Sequence, residues 1–498
     1  MNTPPDPTLH SEKLGQAMQA LRAKDHVLVT SLVRELLEAN PENADALFLL
    51  GMNAHAMNRH DLAVNLIGKA IARNPGQPYY LFNLAGALSA LGETGKAREC
   101  LLTAIRLKPD MAEAHVNLGN LLFGNGERRA AAEHYLAGLR LNPRLETGYY
   151  NLGVIFQEYG DQAAALEQFD QALSLTPDNA QAHMGRAHSL LKTGAFAEGW
   201  REYEWRFRLP NHAPRICPVP RWDGSETLEK KRIYVYTEQG FGDALMFARY
   251  APLLRERGAT VLLECRPELE SLFAASGLAE RVHARGLEDE APPPFDYDLH
   301  IPLMSLPALL GTTLETIPRR VPYLAPPPER VAEWGARLGE KREFRVGLSW
   351  SGNPATSVNR ERACALTDLL PLLSVPGTAF YSVQKGVPAA QLTPMLAERH
   401  AIRILEPELH DFAATGAALR QLDLLISTDT AVVHLAGGLG VPVWTLLHHA
   451  SEWRWLEGRG DCPWYPSMRL FRQRQAGDWA GVVEQVRNAL LDQLSSTS

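Results

Sequence analysis

The pattern of apolar and polar positions changes character near residue 210. Before it, apolar residues recur at helical spacing in short stretches, with small residues among them at long fixed intervals. After it, short apolar runs such as RIYVYT at 232–237, Phe344–Trp350 and Val443–Leu447 alternate with amphipathic stretches bounded by Gly, Pro, Asn or Asp. The first pattern predicts paired helices. The second predicts buried parallel strands joined by helices, with ligands at the carboxyl edge of the sheet. The expected fold class is therefore α + α/β.

In the helical part, Pro41, Pro75, Pro109, Pro143 and Pro177 fall 34 residues apart. Other marks recur in phase: Leu50-Gly51, Leu118-Gly119 and Leu152-Gly153; Ala63, Ala97, Ala131 and Ala165; and Ala70, Ala104 and Ala172, with Gly138 as the variant. This period and these marks resemble the tetratricopeptide repeat, a helix-turn-helix unit that stacks into a solenoid. The reading gives a solenoid over 10–209, with about five repeats to residue 179 and a degenerate sixth from Ala180 to Arg208. The first repeat has Gln16-Ala17 in place of Leu-Gly. In the last, GWREYEWRF replaces the second helix, and Trp200, Tyr203, Trp205 and Phe207 form a hydrophobic plug against the α/β part of the chain. Asn83, Asn117 and Asn151 are also 34 apart, each just before the first-helix Leu. That phase puts them on the inner face, where an amide offers a donor and an acceptor to an extended peptide. Asparagine is also common at this position whatever such repeats bind.

The proline-rich NHAPRICPVP at 211–220 ends the array. The first α/β half, 229–325, opens with the 232–237 strand and Glu238-Gln239-Gly240-Phe241-Gly242-Asp243, then an amphipathic helix expected over Ala244–Arg257. Read as a dinucleotide fingerprint, Gly240-x-Gly242 would pair with Glu264 as the ribose ligand. Leu245 stands at the third glycine position, however, and Asp243 would repel a pyrophosphate. The alternative has Gly240 and Gly242 admitting an acceptor while Asp243 acts as general base, or simply caps the helix.

The second half, 330–498, contains helix Val331–Leu338, strand Phe344–Trp350, helix Thr367–Leu373, strand Ala379–Val383, strand Ala401–Leu405 and helix Phe412–Gln421. Its centre is LLISTDTAVVHLAGGLGVPVWTLL, residues 424–447. Leu424–Ile426 reads as a strand, Ser427-Thr428-Asp429 as a capping turn, Thr430 to about Leu439 as a helix, and Val443–Leu447 as the next strand. Thr430 and His434 lie one turn apart. Candidate ligand groups gather at the strand ends: Ser351, Gly352, Arg360, Arg362, Gln384, Lys385, Asp429 and Thr430. Two basic loops and a helix N-terminus can neutralise a diphosphate, and no loop carries paired carboxylates at metal spacing, so no metal is expected. Trp453, Trp455, Trp464 and Tyr465 either stack on a ligand or pack beneath the last helix, Asp478–Leu490.

Net charge is −7 and the pI about 6.2, which argues against general nucleic-acid binding. Five scattered cysteines without a framework fit a reducing compartment. The first residues have no apolar core for a secretory signal, and no run of about 18 apolar residues suggests a membrane span. A cytoplasmic protein is expected.

Several segments resemble the bacterial tetratricopeptide-repeat glycosyltransferases: EQGFGDALMFARY, LHIPLMSLP, VGLSWSGNP, YSVQKG, STDTAVVHLAGGLG, WRW and WYPSMRLFRQ. The glycine loop and STDTAVVHLAGGLGVPVW are similar to the ADP-heptose transferases, and the asparagine ladder to that of the protein O-GlcNAc transferases. The resemblance implies a GT-B unit of two Rossmann-like halves and inverting, metal-independent transfer from a nucleotide sugar, with no other cofactor. It implies Asp243 as the base, Asp429 and His434 in the donor segment, Thr430 and its helix amides on the phosphates, and Arg362 and Lys385 as phosphate contacts. The acceptor would be a Ser or Thr hydroxyl of a protein held by the repeats, with flagellin-like proteins among the family's acceptors. Two other readings stay open: a lipopolysaccharide or glycan heptosyltransferase-like enzyme, and a non-catalytic repeat scaffold with a vestigial GT-B half.

Overall fold

The computed structural model describes residues 7–210, 215–286, 293–355 and 359–496. They fall into two compact units, one of 1–156 with 164–182, the other of 157–163 with 183–498.

The first unit is built of antiparallel helix pairs: Pro7–Arg22 with His26–Ala39, Ala44–Ala56 with His60–Arg73, Pro78–Ala90 with Thr94–Leu107, and Ala112–Gly124 with Arg128–Leu141. Helices Glu146–Tyr159 and Gln162–Leu175 continue the alternation. The 34-residue marks are packing positions. Gly51, Gly119 and Gly153 face Ile67, Tyr135 and Phe169, and a Cβ on any of these glycines would lie 2.6 Å from its partner side chain. In the first and third pairs the residues at the same two positions are Ala17 with Val33 and Ala85 with Leu101, all buried. A smaller partner leaves room for the extra methyl, which is why Leu-Gly is absent there. Ala63, Ala97, Ala131 and Ala165 are fully buried. At Gly138 a Cβ would lie 2.9 Å from the Ala112 carbonyl, which explains the variant.

The second unit takes up the Ala180–Thr193 helix of the last pair from His183 and continues with Phe196–Tyr203, which a 3₁₀ turn over Glu204–Arg208 extends. Two parallel sheets follow. The first contains β1 (Arg232–Tyr236), β2 (Thr260–Cys265), β3 (Arg281–Ala284) and β4 (Leu299–Pro302), in the order β3-β2-β1-β4. The second contains β5 (Phe344–Ser349), β6 (Thr378–Ser382), β7 (Arg403–Ile404), β8 (Leu424–Thr428), β9 (Val443–Leu447) and β10 (Met468–Arg472), in the order β10-β9-β8-β5-β6-β7. Of these strands, β4 and β10 were not expected.

Proline moves several helix boundaries. The helix expected over 244–257 starts earlier, at Phe241, and ends at Phe247. A 3₁₀ turn, Ala248–Tyr250, and a second helix, Ala251–Glu256, follow. Pro252 has no N–H to continue the first helix and suits the start of the next. Pro371 likewise reduces the expected 367–373 helix to Leu366–Leu369 and a 3₁₀ turn. Pro328 starts its helix three residues before Val331. The final helix runs further than expected, Trp479–Ser495, capped by Asp478 accepting from Gly481 N–H at 2.8 Å.

Trp200 is the centre of an aromatic cluster within this unit, with ring centroids 5.2 Å from Trp453, 5.8 Å from Phe247 and 6.5 Å from Trp464. Trp200 and Tyr203 pack into the core as expected of the plug. Trp205 instead stacks on His183, and Phe207 lies under Arg206 and Arg221. Trp453, Trp455, Trp464 and Tyr465 are all buried, so they are packing groups. Fully buried Arg206 bridges Glu238 and Ser305 Oγ at 2.7 Å each, and Tyr203 OH meets the Gln239 amide. The last helix pair therefore braces the loop that leads to Asp243.

Candidate functional site

In the second sheet the chain leaves β5 toward β6 and β7, then returns on the other side of β5 as β8. Loops after β5 and β8 diverge, and the crevice they leave is where open parallel sheets bind ligands. The first sheet has the same reversal between β1 and β4. A cavity of about 770 Å³ lies at these carboxyl ends, with Phe241 and Glu268 from the first half and the loops after β5, β6 and β8 from the second.

Seven of the expected residues line it: Ser351, Gly352, Arg362, Gln384, Lys385, Asp429 and Thr430. They do different work. Gln384 is a brace: its Oε1 accepts from Trp350 and Ser351 N–H, both at 2.9 Å, and its Nε2 donates to the Ser351 and Lys385 carbonyls. Asn359, which sequence reasoning passed over, accepts from Gly352 N–H at 2.8 Å and donates to Ser351 Oγ at 3.1 Å. Together the two amides shape the loop after β5. Lys385 is exposed and donates to the Leu409 carbonyl. The side chain of Arg360 lies outside the described residues.

Asp429 is not the helix cap. Thr430 occupies that position, extended and without a side-chain cap bond, before the Ala431–Gly438 helix. The Asp429 carboxylate turns to Trp455 Nε1–H at 2.9 Å and lies 3.7 Å from Arg362. Burial alone would raise its pKa, but Arg362 and the Trp455 N–H hold it below the ordinary carboxylate value. Leading amides of the helix, at Ala431 and Val432, lie on residues that line the cavity.

His434 is a core group among the described residues, not part of the cavity wall. It stacks on Trp455, and its Nδ1 meets Tyr465 OH at 3.0 Å. The ring's position also accounts for Gly242, where a Cβ would lie 3.1 Å from His434 Cδ2. The missing side chain at Gly242 is thus taken up by packing between the halves. Gly438 serves the same end, since a Cβ would lie 2.6 Å from Leu324, whereas Gly437 makes room for Tyr465 of its own half, 2.5 Å from such a Cβ.

Asp243 stands outside the cavity lining. It is the third residue of the Phe241–Phe247 helix; its Oδ2 accepts from Gly240 N–H at 3.1 Å and its Oδ1 is ion-paired with Arg454. The helix-capping reading of this residue therefore holds in part. Arg454 also pairs with Glu452, which pairs in turn with Arg362. A continuous line of charges, Asp243–Arg454–Glu452–Arg362–Asp429, crosses from the first half to the second. Arg454 and Glu452 were missed as site residues. Their only signal was an arginine held between two tryptophans in SEWRWL.

Burial pushes the His434 pKa down to about 4, with Asp429 opposing and Arg454 reinforcing the shift. The folded state thus binds this proton less readily than the unfolded chain. The associated stability is fully present above pH 6.5 and is lost as pH falls through 4, by on the order of 3 kcal/mol. Denaturant unfolding across this range should show a steeper decline for the wild type than for His434→Gln. Parallel profiles would mean that the ring does not titrate as its burial requires.

Asn83, Asn117 and Asn151 are all half-buried on first helices. Asn83 donates to the Tyr79 carbonyl and lines a separate cavity of about 370 Å³ in the first unit, with His26, Met52 and His55. Asn151 donates to Asn120 Oδ1 at 2.8 Å.

Family models described as tetratricopeptide or TPR repeat match residues 30–78, 86–126, 112–145 and 150–203. The helical array is built of tetratricopeptide repeats. Protein FlbA of Caulobacter vibrioides is 33% identical over 341 residues, covering 63% of this chain. The chain spans 56% of the length of that relative. Among solved structures, pilF of Pseudomonas aeruginosa matches at 19% identity and a TM-score of 0.38, over 42% of this chain and 93% of pilF. MamA of Desulfovibrio magneticus matches at 16% identity and a TM-score of 0.31, over 34% of this chain and 96% of MamA. No helix among the described residues is long and apolar enough to cross a membrane.

Proposed function

We propose that the chain is a glycosyltransferase of GT-B architecture, which moves a sugar from a nucleotide-sugar donor to a Ser or Thr hydroxyl of a protein. The observation that carries this reading is the 770 Å³ cleft at the carboxyl ends of both parallel sheets, with Arg362, Lys385 and the start of the Ala431–Gly438 helix on one wall. Such a wall suits a diphosphate, and we assign the acceptor to the side of Phe241 and Glu268. In the reaction the acceptor hydroxyl attacks the anomeric carbon from the face opposite the leaving group. The bond from that carbon to the phosphate oxygen breaks, and the nucleoside diphosphate departs with the electron pair. Asp243 takes the hydroxyl proton. Arg362, Lys385 and the helix amides stabilise the departing charge without a metal. Asp429 binds donor sugar hydroxyls.

The repeats provide the extended surface that solenoids offer to protein partners, and we assign the acceptor polypeptide to it. The five cysteines are all free thiols. Replacing Asn83, Asn117 and Asn151 together by Ala should abolish protein glycosylation while leaving slow donor hydrolysis. Unchanged glycosylation of acceptor protein would show that the ladder belongs to the fold and not to the acceptor site.

A further inference from the structure

We propose that Arg454 is a positioning residue that holds Asp243 idle until a diphosphate enters the cleft. This device rests on the glycosyltransferase reading and couples the two halves of the cleft. Both carboxylate oxygens of Asp243 are occupied, Oδ1 by Arg454 and Oδ2 by Gly240 N–H. Arg454 is buried and shared between Asp243 and Glu452. Glu452 is shared in turn between Arg454 and Arg362. Of the two arginines, Arg362 alone lines the cleft, and its buried Nε has no hydrogen-bond partner. The line is short of positive charge, with two arginines against Asp243, Glu452 and Asp429.

A diphosphate entering beside Arg362 adds at least two negative charges and offers the guanidinium a bidentate partner. Arg362 turns from Glu452 to the phosphates. Glu452, left with one cation, draws both terminal nitrogens of Arg454 to itself. The Asp243 oxygen that Arg454 held is released toward the acceptor side. The base is thereby freed only when a donor is in place, which suppresses proton abstraction in its absence.

The test needs no knowledge of the sugar. Carbodiimide labelling of carboxyl groups, read by mass spectrometry of the peptide bearing Asp243, is compared with and without inorganic pyrophosphate. Calorimetry of the same samples reports binding. Wild-type protein should bind pyrophosphate, and labelling of Asp243 should rise at least threefold. In Glu452→Gln, Arg362 is no longer held, so pyrophosphate should bind more tightly; Arg454 has nothing to draw it away, so labelling should not rise. This opposed pair of effects separates a relay from a structural role, which would weaken binding and loosen Asp243 together.

Binding without a labelling change in the wild type overturns the relay and leaves the glycosyltransferase reading standing. A labelling change in a protein that turns over no nucleotide sugar upholds the relay and overturns that reading. Failure to bind pyrophosphate overturns both.

Discussion

Asp243→Asn should lower kcat by roughly 10²–10⁴, the usual contribution of a general base, while nucleotide-sugar binding stays nearly intact. Asparagine keeps the shape and can still accept from Gly240 N–H, the bond Asp243 makes at 3.1 Å. It cannot take a proton. Arg454 keeps Glu452 as a partner, so its charge is not left alone in the core. The donor groups, Arg362, Lys385, Asp429 and Thr430, stand on the other half, and drawing Arg454 onto Glu452 can only free Arg362 for the donor. Single-turnover transfer beside donor titration separates the two quantities. A wild-type rate would place the base elsewhere. His434 cannot replace it, because the ring is buried between Trp455 and Tyr465; His410, which lines the cleft, would be the next residue to change.

The largest stability effect is expected at Trp200. Its side chain is 1% exposed and touches rings from the last helix pair, the first half and the tail: Phe196, Phe247, Trp453 and Trp464. Trp200→Ala should cost about 3–5 kcal/mol, the transfer term plus a cavity the neighbouring rings cannot fill. Trp200→Phe should cost far less. It keeps an aromatic ring and removes an indole N–H that has no hydrogen-bond partner among the described residues. Denaturant midpoints of the α/β unit measure both variants. Equal losses for Ala and Phe would mean that a hydrogen bond, and not ring packing, holds this site.

The solenoid was legible because its packing rule repeats. A glycine or alanine facing a partner sixteen residues on recurs through the array, and repetition lifts a weak local signal above chance. Strands β1, β5, β8 and β9 were legible because parallel strands buried on both faces are continuous apolar runs. The loop residues were legible as a group, since they sit at strand ends. Their individual roles were not. Whether Gln384 braces a loop or meets a ligand depends on the Trp350 and Ser351 amides, which no local pattern encodes. His434 and Thr430 share a helical spacing, yet one packs on Tyr465 and the other lines the cleft. The charge line escaped notice because Asp243 and Arg454 are 211 residues apart in sequence. Strand β10 carries arginines at both second and last positions, which broke its apolar run.

The central claim is that the cleft between the two sheets uses a nucleotide sugar. The most direct measurement is release of nucleoside diphosphate from a panel of ADP-, UDP- and GDP-sugars by the purified chain, in EDTA, with acceptor protein present. The account predicts release from one donor class, unaffected by EDTA, with binding of that donor weakened in Asp429→Ala. Release from none of them, or release abolished by EDTA and restored by Mn²⁺, would contradict it.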